Sequence, residues 1–152
     1  MQVGHELDAH LARFVHIHRD PYAVFQSTRR MVEVAGSLMK LQRLDAASLE
    51  ARVLDRYVEM YDAFFEEKPL VPAGRFHELG FEALERDPAG ELRRLYDALG
   101  LGGFDAFAVR LQAYLDGIRH YEKNVHGELP EPLRTEIRQR WGRTFEEWGY
   151  PV

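Results

Sequence analysis

The sequence predicts an α/β domain that is mostly helical, with one or two parallel strands, and three observations support this class. Residues 14–18, Phe-Val-His-Ile-His, are rich in β-branched and aromatic side chains. Apolar side chains fall on both faces of this segment, which is typical of a strand buried inside a sheet. Asp20 and Pro21 then give a helix N-cap followed by proline at the first helical position. Helical periodicity fills most of the remaining chain.

The first two helices are predicted from their caps and apolar stripes. Apolar residues continue at helical spacing from Pro21 to about Lys40, which predicts one helix over this segment. Asp45 is a suitable N-cap for a second helix that runs to about Glu67. A loop is expected at residues 68–74, because this segment contains two prolines and a glycine.

The second half of the chain is predicted to add shorter elements and one further strand. Asp87 and Pro88 repeat the signal of a cap followed by proline, and Gly100 is a suitable residue just beyond a helix end. The predicted elements are a strand at residues 75–79, a helical turn at 81–85, and helices at 88–100, 104–117 and from Pro130 or Pro132 to Trp141. Residues 1–12 are predicted as a short helix or a frayed lead-in, and residues 119–129 as irregular.

Composition excludes several function classes. The chain has 152 residues, 45% hydrophobic and 30% charged, which is ordinary for a single globular domain. A net charge of −5 argues against a general nucleic-acid binder. No apolar run is long enough for a transmembrane segment, and no signal-peptide pattern opens the sequence. Cysteine is absent, so a cytoplasmic location is the default expectation.

Arg19 and Ser27 are the candidate phosphate-binding residues. Arg19 ends the predicted strand, where open α/β sheets bind ligands, and its guanidinium can donate two parallel hydrogen bonds to a phosphate. Ser27 lies about two turns into the following helix, and its side chain leans back toward the helix start. The alternative is that Arg19 pairs with Asp20 or another carboxylate and that Ser27 is only a tolerated helix residue.

The single confident strand predicts that further strands lie upstream. A strand of the parallel, buried type needs neighbours, and the helices of this sequence cannot supply them. We therefore expect the chain to be the back half of an α/β domain.

The segment His-Arg-Asp-Pro-Tyr-Ala-Val-Phe-Gln-Ser-Thr-Arg-Arg, residues 18–30, resembles the 3′-phosphate-binding segment of sulfotransferases that use 3′-phosphoadenosine 5′-phosphosulfate (PAPS). In that family an arginine ends a strand and a serine eight residues later lies in the next helix. Three further segments are similar to the family in the same order, and the likeness favours its bacterial branch. They are residues 81–101, 121–130 and 141–150.

The resemblance implies a partial P-loop-like sulfotransferase fold, with residues 1–152 as the C-terminal part of a single sulfotransferase domain. It implies transfer of a sulfuryl group from PAPS to a hydroxyl or amine of a small-molecule acceptor. Arg19 and Ser27 would hold the 3′-phosphate of PAPS, or of the product nucleotide PAP, and Lys123 is a candidate third contact. A solvated loop lysine is the alternative for Lys123.

The sequence also departs from the family pattern. The Lys-Ser or Gly-rich loop that cradles the 5′-phosphosulfate is not found in it, and the usual catalytic base is expected upstream, so no catalytic residue is assigned. Phe81 replaces a common tyrosine and Ala83 a common aspartate. His16 and His18 are predicted to pack on the sheet rather than to act in catalysis, and no metal-ligand spacing is found.

Two other functions remain open from the sequence. The chain could be a non-catalytic module that keeps affinity for a nucleotide 3′-phosphate. It could also be a helical interaction module in which the spacing of Arg19 and Ser27 is a coincidence. The sequence indicates neither the oligomeric state nor the acceptor.

Overall fold

The computed structural model describes residues 12–39, 45–120 and 127–152, which fall into two compact units. We call them the strand unit, drawn from Met1–His18 and Pro69–Lys123, and the helical unit, drawn from Arg19–Lys68 and Asn124–Val152. The elements in chain order are β1 (Phe14–His18), α1 (Pro21–Met39), α2 (Ala46–Glu67), a 3₁₀ turn (Lys68–Leu70), β2 (Phe76–Gly80), α3 (Phe81–Arg86), α4 (Pro88–Ala98), α5 (Phe104–Gly117), α6 (Glu131–Arg140) and α7 (Gly142–Trp148).

The strand unit is built on two parallel strands. β1 and β2 pair in a register that sets Phe14 opposite Phe76 and His18 opposite Gly80. The helices α3 and α4 pack against β2, and a small cluster of leucines forms the core of this unit. The buried members of that cluster are Leu79, Leu95 and Leu99.

The described part of the chain does not bury β1 on both faces. The exposed fractions of Phe14, Val15 and Ile17 are 49%, 44% and 50%. Within the described part of the chain β1 pairs with β2 alone, and the helices of the unit pack mainly against β2. An apolar sequence shows that a strand suits a buried environment, but burial itself requires covering elements that a local pattern cannot reveal.

The helical unit packs α1, α2, α6 and α7 around an aromatic core. Trp141 stacks on Tyr57 with ring centroids 3.6 Å apart, and its indole N–H donates to the Leu54 carbonyl oxygen at 3.1 Å. The Tyr57 hydroxyl donates to the Thr144 hydroxyl oxygen at 3.2 Å. Burial raises the pKa of the Tyr57 phenol, so this group stays protonated inside the core. The buried aromatic pair thus satisfies its polar atoms while it fills the interior.

Local signals placed the helix starts correctly. α1 begins at Pro21, and Asp20 Oδ1 accepts a hydrogen bond from the Ala23 amide at 2.8 Å, as an N-cap does. Asp45 caps α2 in the same way, accepting from the Ser48 amide at 2.9 Å. The second strand was predicted one residue too early. The predicted mostly helical class with parallel strands is confirmed.

The end of the chain was predicted incompletely. The helix predicted to run to Trp141 is α6, and a second helix, α7, follows it and ends at Trp148. Phe145 on α7 is buried in the aromatic core, so tertiary packing stabilises this short helix. Residues 1–11 and 121–126 lie outside the described residues, and the predictions for 1–12 and 119–129 fall largely there.

Candidate functional site: the start of helix α1

Arg19 and Ser27 both belong to the helical unit and lie around the start of α1. Arg19 is half-buried and precedes the helix by two residues, whereas Ser27 is exposed in its second turn. At a rise of about 1.5 Å per residue, the Ser27 backbone is roughly 9 Å along the axis from Pro21. Phosphate binding by the two residues stays a prediction.

The N-cap of α1 limits how an anion could approach this end of the helix. The Asp20 carboxylate accepts from the Ala23 amide, and the Asp20 carbonyl oxygen accepts from the Val24 amide at 3.0 Å. Because the carboxylate occupies one of the free amide groups at the helix end, an anion would bind beside the helix rather than on its axis. That position suits side-chain donors such as Arg19 and Ser27.

The two arginines that follow Ser27 have different surroundings. The Arg29 guanidinium lies 2.9 Å from a Glu50 carboxylate oxygen and 3.7 Å from Glu33. Arg30 is exposed. Arg29 therefore joins α1 to α2, and Arg30 is the arginine of the pair that faces solvent.

Arg134 is a cation at this site that the sequence did not single out. Its guanidinium carbon lies 4.3 Å from the centroid of the Tyr22 ring, so α6 brings a positive charge over the first turn of α1. Tyr22 and Arg134 are far apart in sequence, and no local motif links them. The Tyr22 hydroxyl is buried and has no hydrogen-bond partner among the described residues.

The third predicted contact, Lys123, falls between two described segments of the chain. Lys123 lies outside the described residues, so its predicted contact with the 3′-phosphate is not tested. Where the described chain resumes, the Gln26 side-chain amide donates to the Gly127 carbonyl oxygen. The segment that leads into α6 is thus held beside the residue that precedes Ser27.

His16 and His18 lie on the same face of β1 in the strand unit. His16 Nδ1 lies 3.3 Å from a Glu78 carboxylate oxygen, and the His16 and His18 rings are 6.3 Å apart. A methyl group on Gly80 would come within 3.2 Å of the His18 ring, so a side chain there would crowd this face. The predicted packing of these histidines on the sheet agrees with these positions.

Metal-binding clusters and membrane-spanning helices are both lacking among residues 12–39, 45–120 and 127–152. In that part of the chain, no group of three or more histidine, aspartate or glutamate side chains is arranged to hold a metal ion. Over the same residues, no helix has both the length and the apolar character needed to cross a membrane.

Two parallel strands with helices packed on them define the class of the strand unit as α/β. Comparison with known proteins gives the family. The sequence profile described as "Sulfotransferase family" matches residues 11–106, which include the whole Arg19 to Ser27 segment. The chain belongs to the sulfotransferase family, as its resemblance predicted, and this family implies a P-loop-like fold.

Two similar proteins of known identity come from mycobacteria. The omega-hydroxy-beta-dihydromenaquinone-9 sulfotransferases Stf3 of Mycobacterium bovis and Mycobacterium tuberculosis are each 37% identical to the chain over 139 residues. The match covers 91% of the chain but only 36% of each relative, so the chain spans about a third of their length. No solved structure matches the chain.

Proposed function

We propose that the chain is the donor-binding part of a PAPS-dependent sulfotransferase, which transfers a sulfuryl group to a hydroxyl or amine acceptor. The observation that supports this most strongly is the family match, which extends across β1, the start of α1 and β2. The identity of 37% to sulfotransferases over 91% of the chain supports the same reaction class. PAPS, when bound, supplies the sulfuryl group, and PAP is the product nucleotide.

In this proposal Arg19 and Ser27 bind the 3′-phosphate of the donor. The guanidinium of Arg19 neutralises part of the phosphate charge and donates two hydrogen bonds, and the Ser27 hydroxyl donates one. Lys123 is retained as a proposed third contact. These groups act at the end of the nucleotide away from the sulfuryl group, so they contribute by orientation rather than by proton transfer.

We also propose that residues 1–152 are the C-terminal part of a single sulfotransferase domain. Two observations support this. The relatives are about three times as long as the matched region, because it covers only 36% of each of them. The apolar side chains of β1 are about half exposed, and such a strand suits a larger sheet. The catalytic base and the loop for the 5′-phosphosulfate would then be supplied by the rest of the domain.

The acceptor is proposed to be a neutral, largely apolar molecule that carries a hydroxyl group. The relatives are named for a hydroxylated dihydromenaquinone, which has this character. At 37% identity, the chain and its relatives can share a class of acceptor even where the individual acceptors differ.

A displacement assay tests the proposed function. The chain is incubated with sulfur-radiolabelled PAPS, and bound label is measured while unlabelled 3′,5′-ADP or 5′-AMP is added. We expect 3′,5′-ADP to displace the label at concentrations at least about tenfold below those needed for 5′-AMP, which lacks the 3′-phosphate. Absence of bound label, or equal displacement by the two nucleotides, would contradict the proposal.

A transfer assay separates an enzyme from a binding module. Farnesol, an apolar alcohol, is added to the chain with labelled PAPS, and labelled farnesyl sulfate is measured by chromatography. Product formation supports catalysis by the chain itself. Specific PAPS binding without product indicates that donor binding resides in this chain and that transfer needs the rest of the domain.

A further inference from the structure

An apolar groove runs along the helical unit between α1 and α2, with a volume of about 660 Å³. This volume lies within the range of roughly 300–1,000 Å³ that is usual for small-molecule sites. We call it the α1–α2 groove. Its apolar walls are formed by Val24, Met31 and Val32 of α1 and by Leu49, Val53 and Met60 of α2.

The floor of the groove is rigid and aromatic. Tyr57 and Trp141 both line it, and their rings are stacked at 3.6 Å and 15°. Both side chains are nearly fully buried, with exposed fractions of 6% and 2%, and both donate hydrogen bonds within the core. The stacking and the hydrogen bonds hold the floor in one arrangement, so a ligand can bind in the groove without a conformational rearrangement there.

Two methionines form the outer part of the walls. Met31 is 62% exposed and Met60 is 51% exposed, although both lie beside a well-packed core. Methionine is unbranched, flexible and polarizable, so it adapts to irregular apolar ligands. Met31 and Met60 can therefore close over a chain lying in the groove.

The charges at the groove favour a neutral ligand. Four ionisable residues line it, and their formal charges sum to zero: Arg52, Asp55, Arg56 and Glu59. Arg56 pairs with Glu59 at 3.0 Å, and Asp55 pairs with Arg140 of α6. The formal charges of the lining residues cancel, so the groove carries no net charge that would attract an anionic ligand.

The groove borders the proposed phosphate-binding residues. Thr28 lines the groove and directly follows Ser27 in α1. Met31 is four residues after Ser27, so the two side chains lie on neighbouring positions of the same helix face. A molecule in the groove would thus extend along α1 from the turn that carries Ser27.

We propose that the α1–α2 groove binds the apolar portion of the acceptor, an elongated neutral hydrocarbon chain such as an isoprenoid. Tyr57 and Trp141 form its floor, and Met31 and Met60 hold it from the sides. This inference rests on the proposed function for the identity of the ligand as an acceptor, but the site itself is defined by the groove.

Tryptophan fluorescence tests the groove directly. The sequence has two tryptophans, so Trp148→Phe leaves Trp141, in the groove floor, as the sole indole reporter. Farnesol is titrated into this variant, and the emission of Trp141 is expected to change in a saturable manner. In the same background, Met31→Glu and Met60→Glu are expected to raise the Kd for farnesol at least about tenfold, because each sets a charge against the ligand.

Two further variants control for charge and for folding. Val34→Glu changes a residue of α1 that is 51% exposed and does not line the groove, and it should leave the Kd within about twofold. Met31→Gln removes apolar contact without adding a charge and should raise the Kd by a smaller factor than Met31→Glu. Circular dichroism of each variant confirms that the helices are retained.

The outcomes separate this inference from the proposed function. An unchanged Trp141 emission, or equal Kd values for Met31→Glu, Met60→Glu and Val34→Glu, would overturn the groove proposal. Calorimetry with 3′,5′-ADP on wild type and on Met60→Glu, which leaves the helix face of Ser27 unchanged, reports the nucleotide site independently, and we expect no change there. If farnesol binds in the predicted pattern while 3′,5′-ADP does not bind, the groove is supported and the donor assignment fails.

Discussion

The helical unit and the strand unit differ in how they use their apolar residues. Among the residues that the structure describes, ten buried side chains form one cluster in the helical unit, whereas the buried cluster of the strand unit has three, all leucines. Phe14, Val15 and Ile17 of β1 are instead about half exposed. The helical unit therefore encloses its own core. In the strand unit, β1 is exposed although its sequence is typical of a covered strand.

This difference bears on function because Arg19 and Ser27 belong to the unit with the larger core. A binding site is most precise when it lies on rigid, well-packed elements. The helix α1 contributes Tyr22 and Phe25 to the aromatic core, so its exposed face is held firmly in place. Substitutions in each unit test whether the two units differ in this way.

The largest difference in the free energy of unfolding is expected between an alanine substitution in the core of the helical unit and one at an apolar residue of β1. Phe25 has an exposed fraction of 0%, so Phe25→Ala should lower the free energy of unfolding by about 3–5 kcal/mol. Ile17→Ala, at 50% exposure, should lower it by no more than about 1 kcal/mol. Urea denaturation followed by circular dichroism measures both values. Comparable losses would mean that β1 is covered in solution.

Removing a helix cap is expected to lower the free energy of unfolding by a smaller amount, and by the same amount in the two units. Asp20 caps α1 in the helical unit, and Asp87 caps α4 in the strand unit by accepting from the Gly90 amide at 2.9 Å. Alanine at either position should lower the free energy of unfolding by about 1 kcal/mol, because a cap is a local interaction. Denaturation midpoints of the two variants provide the test. A much larger loss for Asp20→Ala would indicate that this carboxylate does more than cap the helix.

Replacing Tyr57 with phenylalanine is expected to change the free energy of unfolding least at neutral pH. At alkaline pH it should have a specific effect. Burial raises its pKa, so the folded protein holds the phenolic proton more tightly than the unfolded chain does. The resulting stability is complete below the unfolded pKa of about 10 and is lost as the pH rises through the higher folded value. Urea denaturation between about pH 9 and pH 11 should therefore show a steeper loss for wild type than for Tyr57→Phe.

An exposed tyrosine is the control for this pH dependence. Tyr114 in the strand unit is 64% exposed, and Tyr114→Phe should keep the wild-type alkaline profile. If Tyr57→Phe also keeps that profile, the buried phenol is not the source of the loss.

Local sequence signals were sufficient for most elements. The bounds of β1, the start of α1 at Pro21 and the cap of α2 at Asp45 follow from short patterns of residues close in sequence. Such signals act through the local backbone, so they survive in any tertiary context. The sulfotransferase resemblance also rested on contiguous segments, and the family match confirms it.

Features that depend on distant residues could not be predicted. The exposure of β1 depends on what covers it, and α7 depends on burial of Phe145 in the core. The position of Arg134 over Tyr22 and the pairing of Arg29 with Glu50 arise only when separate helices pack together. The sequence therefore proposed Arg19 and Ser27 as the candidate site, whereas the residues around them could be identified only from the structure.

The central claim, that Arg19 holds the 3′-phosphate of the donor nucleotide, is tested most directly by calorimetry with 3′,5′-ADP. Wild type should bind, and Arg19→Ala should raise the Kd at least about tenfold, since a charge-assisted hydrogen bond is worth roughly 1.5–3 kcal/mol. Arg138→Ala, which removes an exposed arginine of α6, is the matched control and should bind as wild type does. No heat from wild type, or equal Kd values for wild type and Arg19→Ala, would contradict the account.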